Sequence, residues 1–289
     1  MPATVPLPSA TVDLQFDTLL RPSDLEAYAR EMPIATAVLP RLQALLRAEG
    51  TSIGDIVDLV MLEPGLAVRV IQASSNPRYG RGLLAPSLAA ALLQLGAEEV
   101  YRVTAAYTLG RFLNHPLRSY HLGPSEFWRR SIACALAMVD LAPAGGLDER
   151  TAYTVGLLHA MGMVFIDRHL RCVGAPHLRF GPMPPDEIPK AEVMLTGMHN
   201  ARAAAHVLRA WGFGEEIAEP IEHQLRPGGA LRHRAMASLL AEARTMAIEL
   251  APKLPAPEQG FADPQPRTAN DAWRASITER VLLLEGDPV

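Results

Sequence analysis

The tightest constraint on the fold of this chain is a rhythm: apolar residues recur three and four positions apart, and helix start and stop signals interrupt them at short intervals. Ser23-x-x-Glu26 reads as a capping box behind Pro22 and predicts a helix through about Arg30. Pro40 is read as the opening of the next helix, with Leu42, Leu45 and Leu46 on one face until Gly50. Ser52 caps a helix from Ile53 to Leu62 whose buried stripe is Ile56, Leu59 and Val60. Pro64 begins another, carrying Leu66, Val70 and Ile71 and ending near Ser74-Ser75-Asn76-Pro77, because proline pushes the residue before it out of the α region. Ser87 caps Leu88 to Leu95, Gly96 breaks the chain, and Glu98 to Asn114 forms a longer helix.

Beyond residue 115 the same punctuation continues. Ser125 is the expected N-cap of a helix from Glu126 to Leu141, and Pro143-Ala144-Gly145-Gly146 ends it. Asp148 caps the helix that reaches His159, and after a proline-rich loop further helices are expected at about 186–196, 199–211, 215–225 and 231–250. No window alternates strongly enough for a strand, so the expectation is an all-α protein in two helical groups meeting near residues 115–125. Prolines 252, 255, 257, 264 and 266 mark a linker or arm over 252–270, followed by a short terminal helix over 271–285.

Composition narrows the function classes. At 289 residues and 49% hydrophobic content the chain can bury one large or two modest domains. No apolar run approaches the roughly 20 residues of a membrane span, and the first 30 residues have no secretory pattern, so a cytoplasmic location without membrane contact is expected. A net charge of −4 offers no global attraction to nucleic acid, which makes a nucleic-acid partner the weakest option. Cys134 and Cys172 lack a CxxC partner and read as small core residues. No Gly-x-Ser-x-Gly elbow is present, and Gly228-Gly229 lacks the Lys-Ser/Thr of a phosphate loop.

Ordered landmarks in the first half resemble the HDOD family, bacterial signalling domains related to HD-type metal phosphohydrolases. They are Leu39-Pro40, Asp55-Ile56, Leu59-Val60, Glu63-Pro64-Gly65-Leu66 where the family has Asp-Pro-Ala-Leu, Val70 to Ser75, Tyr79-Gly80, Ser87 and Leu95-Gly96. The second half follows through Trp128, Gly156-Leu157-Leu158-His159, Gly162, Glu192, His199, Trp211-Gly212 and Ile221-Glu222-His223. This resemblance implies an HDOD domain over 32–245, divided into groups 32–115 and 116–245, with an N-terminal helical extension over 1–31 and a Pro-rich arm with a short helix over 246–289.

It also implies a site that has changed. Where HD relatives place a first metal histidine, an aspartate after the second histidine and a last aspartate, this chain has Arg130, Ala160 beside His159, and Arg244. A methyl group cannot replace a hard carboxylate ligand, and a guanidinium offers only donors. The expectation is therefore no metal, no cofactor and no enzymatic activity. The chain is expected to regulate a two-component or cyclic-di-GMP pathway through a protein partner, with a small molecule or cyclic dinucleotide as a second candidate ligand.

Glu192, His199, Glu222 and His223 are candidate pocket residues, with His159 a ligand only if they converge on it. Arg130 and Arg244 either project into the former metal cavity and pair with Glu192 or Glu222, or are solvated surface arginines. The competing reading is a residual metal-dependent phosphohydrolase of nucleotides or cyclic dinucleotides using His159, His199 and His223. Arg226-Pro227-Gly228-Gly229 with Arg232, His233 and Arg234 is a local basic cluster, read as a solvated helix start rather than a phosphate receptor. Tyr79-Gly80-Arg81-Gly82 reads as a turn, and Met161, Met163, Met194, Met198 and Met236 as pliable core filling.

Overall fold

The helical rhythm is realised across the described residues. The computed structural model describes residues 17–31, 35–76, 84–113, 115–180, 183–184, 186–250 and 269–285. Its helices are α1 (Pro22–Arg30), α2 (Ala35–Arg47), α3 (Ile53–Met61), α4 (Pro64–Ser74), α5 (Leu88–Phe112), α6 (Pro124–Leu141), α7 (Glu149–Leu158), α8 (Met161–Cys172), α9 (Ile188–Thr196), α10 (Asn200–Ala210), α11 (Glu215–Glu222), α12 (Arg234–Leu250) and α13 (Ala269–Glu285). Among the described residues the nearest thing to a strand is one isolated bridge between Leu117 and Leu122. The Tyr79 to Gly82 turn and the arm at 252–268 lie outside them.

Caps act where short polar side chains meet free N–H groups. Ser52 accepts from the Asp55 amide while the Asp55 carboxylate accepts from the Ser52 amide, a reciprocal pair of donors satisfied at the start of α3. Asp148 Oδ1 accepts from both the Thr151 amide at 2.7 Å and the Thr151 hydroxyl at 2.6 Å. Replacing Asp148 with alanine is expected to lower stability by about 1 kcal/mol, read as a shift of the urea midpoint at constant slope.

Three boundaries differ from the sequence reading. In α1 the Asp24 carboxylate accepts from the Arg21 amide, so the capping pair sits two residues earlier than Ser23 and Glu26. Helix α6 begins at Pro124 with Gly123 as its cap, because proline at the first helical position has no N–H to satisfy. Pro40 lies inside α2 rather than at its start, and buried Val38, Leu39 and Leu42 anchor the helix across the missing hydrogen bond. Helix α8 went unassigned in the sequence, although its buried Met161, Val164, Phe165 and Leu170 fall at helical spacing. Gly96 breaks α5 as expected, adopting φ +76°, where a side chain would be strained.

Helix α5 joins the two groups, packing on α2, α3 and α4 and also on α6 and α7. Helix α6 is the centre of the second group, with every residue from Ser131 to Val139 buried. Its alanines let α7 approach so closely that a Cβ on Gly156 would lie 2.6 Å from Ala135 Cα. Helix α1 crosses the sequence order to dock on α8 and α10, where Trp211 Nε1 donates to the Ala29 carbonyl at 3.2 Å and Tyr28 meets His169. At the other end α13 buries Ile277, Val281 and Leu284 and packs against α6, while Trp273 and Arg280 both donate to Asp140. Cys134 is buried, but Cys172 is exposed at the end of α8, contrary to its reading as core, because it falls on the outer face of that helix.

Candidate functional site

The site begins where two helices nearly touch. Gly162 on α8 faces the first turn of α10 so closely that a Cβ there would lie 1.8 Å from the Asn200 carbonyl oxygen. That approach sets Asn200 beside the α7–α8 junction, which carries His159 and Ala160. Arg130 and Ser131 of α6 and Arg244 of α12 complete one small cavity of about 110 Å³, closed by Phe127, Met163 and Gln224.

His159 is the C-cap of α7, and its ring is tied back to its own helix. Nδ1 lies 2.6 Å from the Gly156 carbonyl, which can only accept, so Nδ1 carries the proton and Nε2 is the ring's acceptor. Burial, reinforced by the charge of Arg244, pushes its pKa down to about 3 against the Gly156 hydrogen bond, and the imidazole is neutral near pH 7. Gln224 Nε2 donates to the His159 carbonyl at 2.9 Å and holds the chain after α11 against this junction.

Glu192, fully buried on α9, is clamped rather than free. Its carboxyl accepts from the Asn200 amide at 2.7 Å, from Asn200 Nδ2 at 2.9 Å and from the Tyr120 hydroxyl at 2.8 Å. Burial lifts its pKa to about 7, opposed by those hydrogen bonds and by the charge of Arg244. Asn200 and Tyr120 were missed in the sequence. Asn200 follows the capping His199 and had a positional signal, whereas nothing local marks Tyr120.

Both arginines line the cavity, yet neither makes the pairing anticipated for it. Arg130 Nη2 donates to Glu126 at 2.5 Å, one helical turn back on α6, and its Nε is buried without a partner. The polar contact of Arg244 among the described residues is with the Gln224 carbonyl, at 3.5 Å, and Glu192 lies within its electrostatic reach without forming an ion pair. Glu222 is taken by Arg209 at 2.7 Å, because α11 presents it to α10 rather than to α12.

His199 and His223 do not converge on His159. They line a separate depression with Glu222, Lys190, Arg202 and Arg226, and His199 Nδ1 accepts from the Arg202 amide as the N-cap of α10. Among the described residues no three His, Cys, Asp or Glu side chains come together as a metal cluster. The residues around the cavity do not fit a divalent ion, since one neutral imidazole faces two guanidiniums and the clamped Glu192 has its oxygens occupied.

In the basic segment before α12, the Glu219 carboxylate accepts from the backbone amides of Leu231, Arg232 and His233, so those backbone donors are already used. Of the methionines read as core, Met161, Met198 and Met236 are buried and Met163 lines the cavity, but Met194 is exposed on the outer face of α9.

A helical domain built on two packed groups, with a small arginine-lined cavity where α6, α7, α8, α10 and α12 meet, is the class that fold and site define. The chain belongs to the HDOD domain family, whose profile matches residues 32–227. Solved structures share the fold across most of this chain. A protein assigned to signal transduction from Marinobacter aquaeolei VT8 is 24% identical with a TM-score of 0.66, covering 94% of this chain and 62% of its own. This chain thus spans less than two thirds of that relative's length. A protein assigned as a phosphohydrolase from Shewanella amazonensis SB2B is 21% identical with a TM-score of 0.58, covering 91% of this chain and 92% of its own. An HDOD domain protein of unknown function from Geobacter sulfurreducens is 19% identical with a TM-score of 0.60, covering 91% and 88%. No curated protein matches the chain.

Proposed function

We propose that this protein is a non-catalytic regulator of bacterial signal transduction, working in the cytoplasm through contact with a protein partner in a two-component or cyclic-di-GMP pathway. Membership of the HDOD family and the signalling assignment of the Marinobacter relative support that class of role. The observation that carries the non-catalytic reading is the cavity itself, where an HD-type metal site would need a histidine and two carboxylates and this chain presents Arg130, Ala160 and Arg244. The HD motif is then degenerate, its fold kept and its ligand set replaced. Among the described residues no helix is long and apolar enough to cross a membrane.

The phosphohydrolase assignment of the Shewanella relative keeps hydrolysis as the reading to test against. Metal content is measured on protein purified without chelator, alongside phosphodiester hydrolysis with and without Mn²⁺. The expected result is metal well below one ion per chain and no Mn²⁺-dependent rate. Stoichiometric metal with a rate that His159→Ala abolishes would overturn the proposal.

A further inference from the structure

We infer that the cavity lined by Arg130, Ser131, His159 and Arg244 is a receptor for a single tetrahedral oxyanion, with hydrogen phosphate the best match. The argument starts from unspent donors. A guanidinium carries five N–H donors and cannot lose its charge, yet Arg244 makes one polar contact among the described residues, at the 3.5 Å limit of a hydrogen bond. Arg130 has one side engaged by Glu126, while its Nε is buried and unpartnered. Ser131 is 1% exposed, and its Oγ also lacks a partner. Buried donors are normally satisfied, yet Arg130 Nε and Ser131 Oγ are not, and with Arg244 from a second helix they line the same small space.

Size selects among anions. The cavity of about 110 Å³ is roughly the room of three or four waters, far below the ~300 Å³ at which pockets for drug-sized ligands begin. One oxyanion fills it, and a nucleotide could insert at most a phosphoryl end. The acids nearby leave donors over. Glu126 pairs with Nη2 of Arg130 but not with its buried Nε, and Glu192 is bound by Asn200 and Tyr120 without an ion pair to Arg244.

Chemistry then favours hydrogen phosphate over sulfate. Arg130, Arg244 and Ser131 supply donors, whereas His159 Nε2 supplies an acceptor because Nδ1 is committed to the Gly156 carbonyl. Hydrogen phosphate carries the one O–H that such an acceptor needs, and sulfate carries none. The site stands independently of whether the chain also recruits a protein partner.

The test is calorimetric titration of the full chain with inorganic phosphate at constant ionic strength, with parallel titrations of sulfate and phenyl phosphate. Saturable binding of one phosphate per chain is expected. It should weaken by roughly tenfold or more in Arg244→Met and in Arg130→Met, as loss of a charge-assisted contact implies. Arg232→Met, in the exposed basic segment, should bind as the parent does. Absence of saturable phosphate binding would sink the inference, as would affinity unchanged in both cavity variants while their thermal unfolding stays cooperative. Sulfate binding as tight as phosphate would overturn the role given to His159. Where phosphate binds, phenyl phosphate separates the sources: binding identifies a phosphoryl group on a larger molecule, and exclusion identifies the free ion.

Discussion

Replacing Gly162 with alanine is expected to cost at least about 3 kcal/mol of stability, the upper range for overpacking a rigid contact. The added methyl would lie 1.8 Å from the Asn200 carbonyl oxygen, 2.6 Å from its carbon and 2.9 Å from the Ala204 nitrogen. All three are backbone atoms of α10, so no flexible side chain can swing aside. Helix α8 would have to retreat, loosening the fully buried Phe165 and Ile166 and shifting Asn200 away from Glu192. Urea unfolding followed by circular dichroism checks this. An alanine variant within 1 kcal/mol of the parent, the size of an ordinary surface change, would show that the two helices have room to spare. Gly156, which faces the backbone of Ala135 at 2.6 Å, provides an independent second position with the same expectation.

Stability near the cavity should depend on pH in two opposing ways. Glu192 titrates at about 7 in the folded chain against an ordinary 4.5, because burial disfavours its charge. Between those values the folded state binds the extra proton, so this contribution is complete below about pH 4.5 and is lost as pH rises through 7. His159 has the reverse displacement, from 6.5 down to about 3. The unfolded state binds its proton first, so that contribution is complete above pH 6.5 and is lost as pH falls toward 3. Each single-proton slope is about 1.4 kcal/mol per pH unit, and from pH 4.5 to 6.5 the two cancel.

Variants separate them. Glu192→Gln should be least stable relative to the parent near pH 4.5, with the deficit shrinking by about 1.4 kcal/mol per unit up to pH 7. His159→Gln should show its full deficit above pH 6.5 and recover relative to the parent as the medium is acidified. Unfolding free energies measured across this range decide the matter. Deficits that stay constant with pH in both variants would mean that neither group is displaced from its ordinary value.

Much of the architecture was legible in the residues. Helix starts at Ser52, Ser87 and Asp148 and the break at Gly96 could be read because caps and glycine act over one turn, within a few residues of chain. The site was legible in its identities but not in its connections. Arg130, His159, Ala160 and Arg244 do gather at one cavity, yet the acids assigned to the arginines went elsewhere, Glu222 to Arg209 and Glu192 to Asn200 and Tyr120. His199 stood beside His159 only on paper, because α10 turns it outward as its own cap.

The sequence by itself determined that this chain is helical and, α8 apart, roughly where its helices begin and end, since propensity, capping and side-chain chemistry are local properties. Only the tertiary structure decided which side chains meet. Residues far apart in the chain, such as Tyr120 and Glu192 or Ala29 and Trp211, find each other through the packing of whole helices. That packing turns on two glycines whose missing side chains let backbones touch, and it leaves two arginines facing one small cavity with donors to spare.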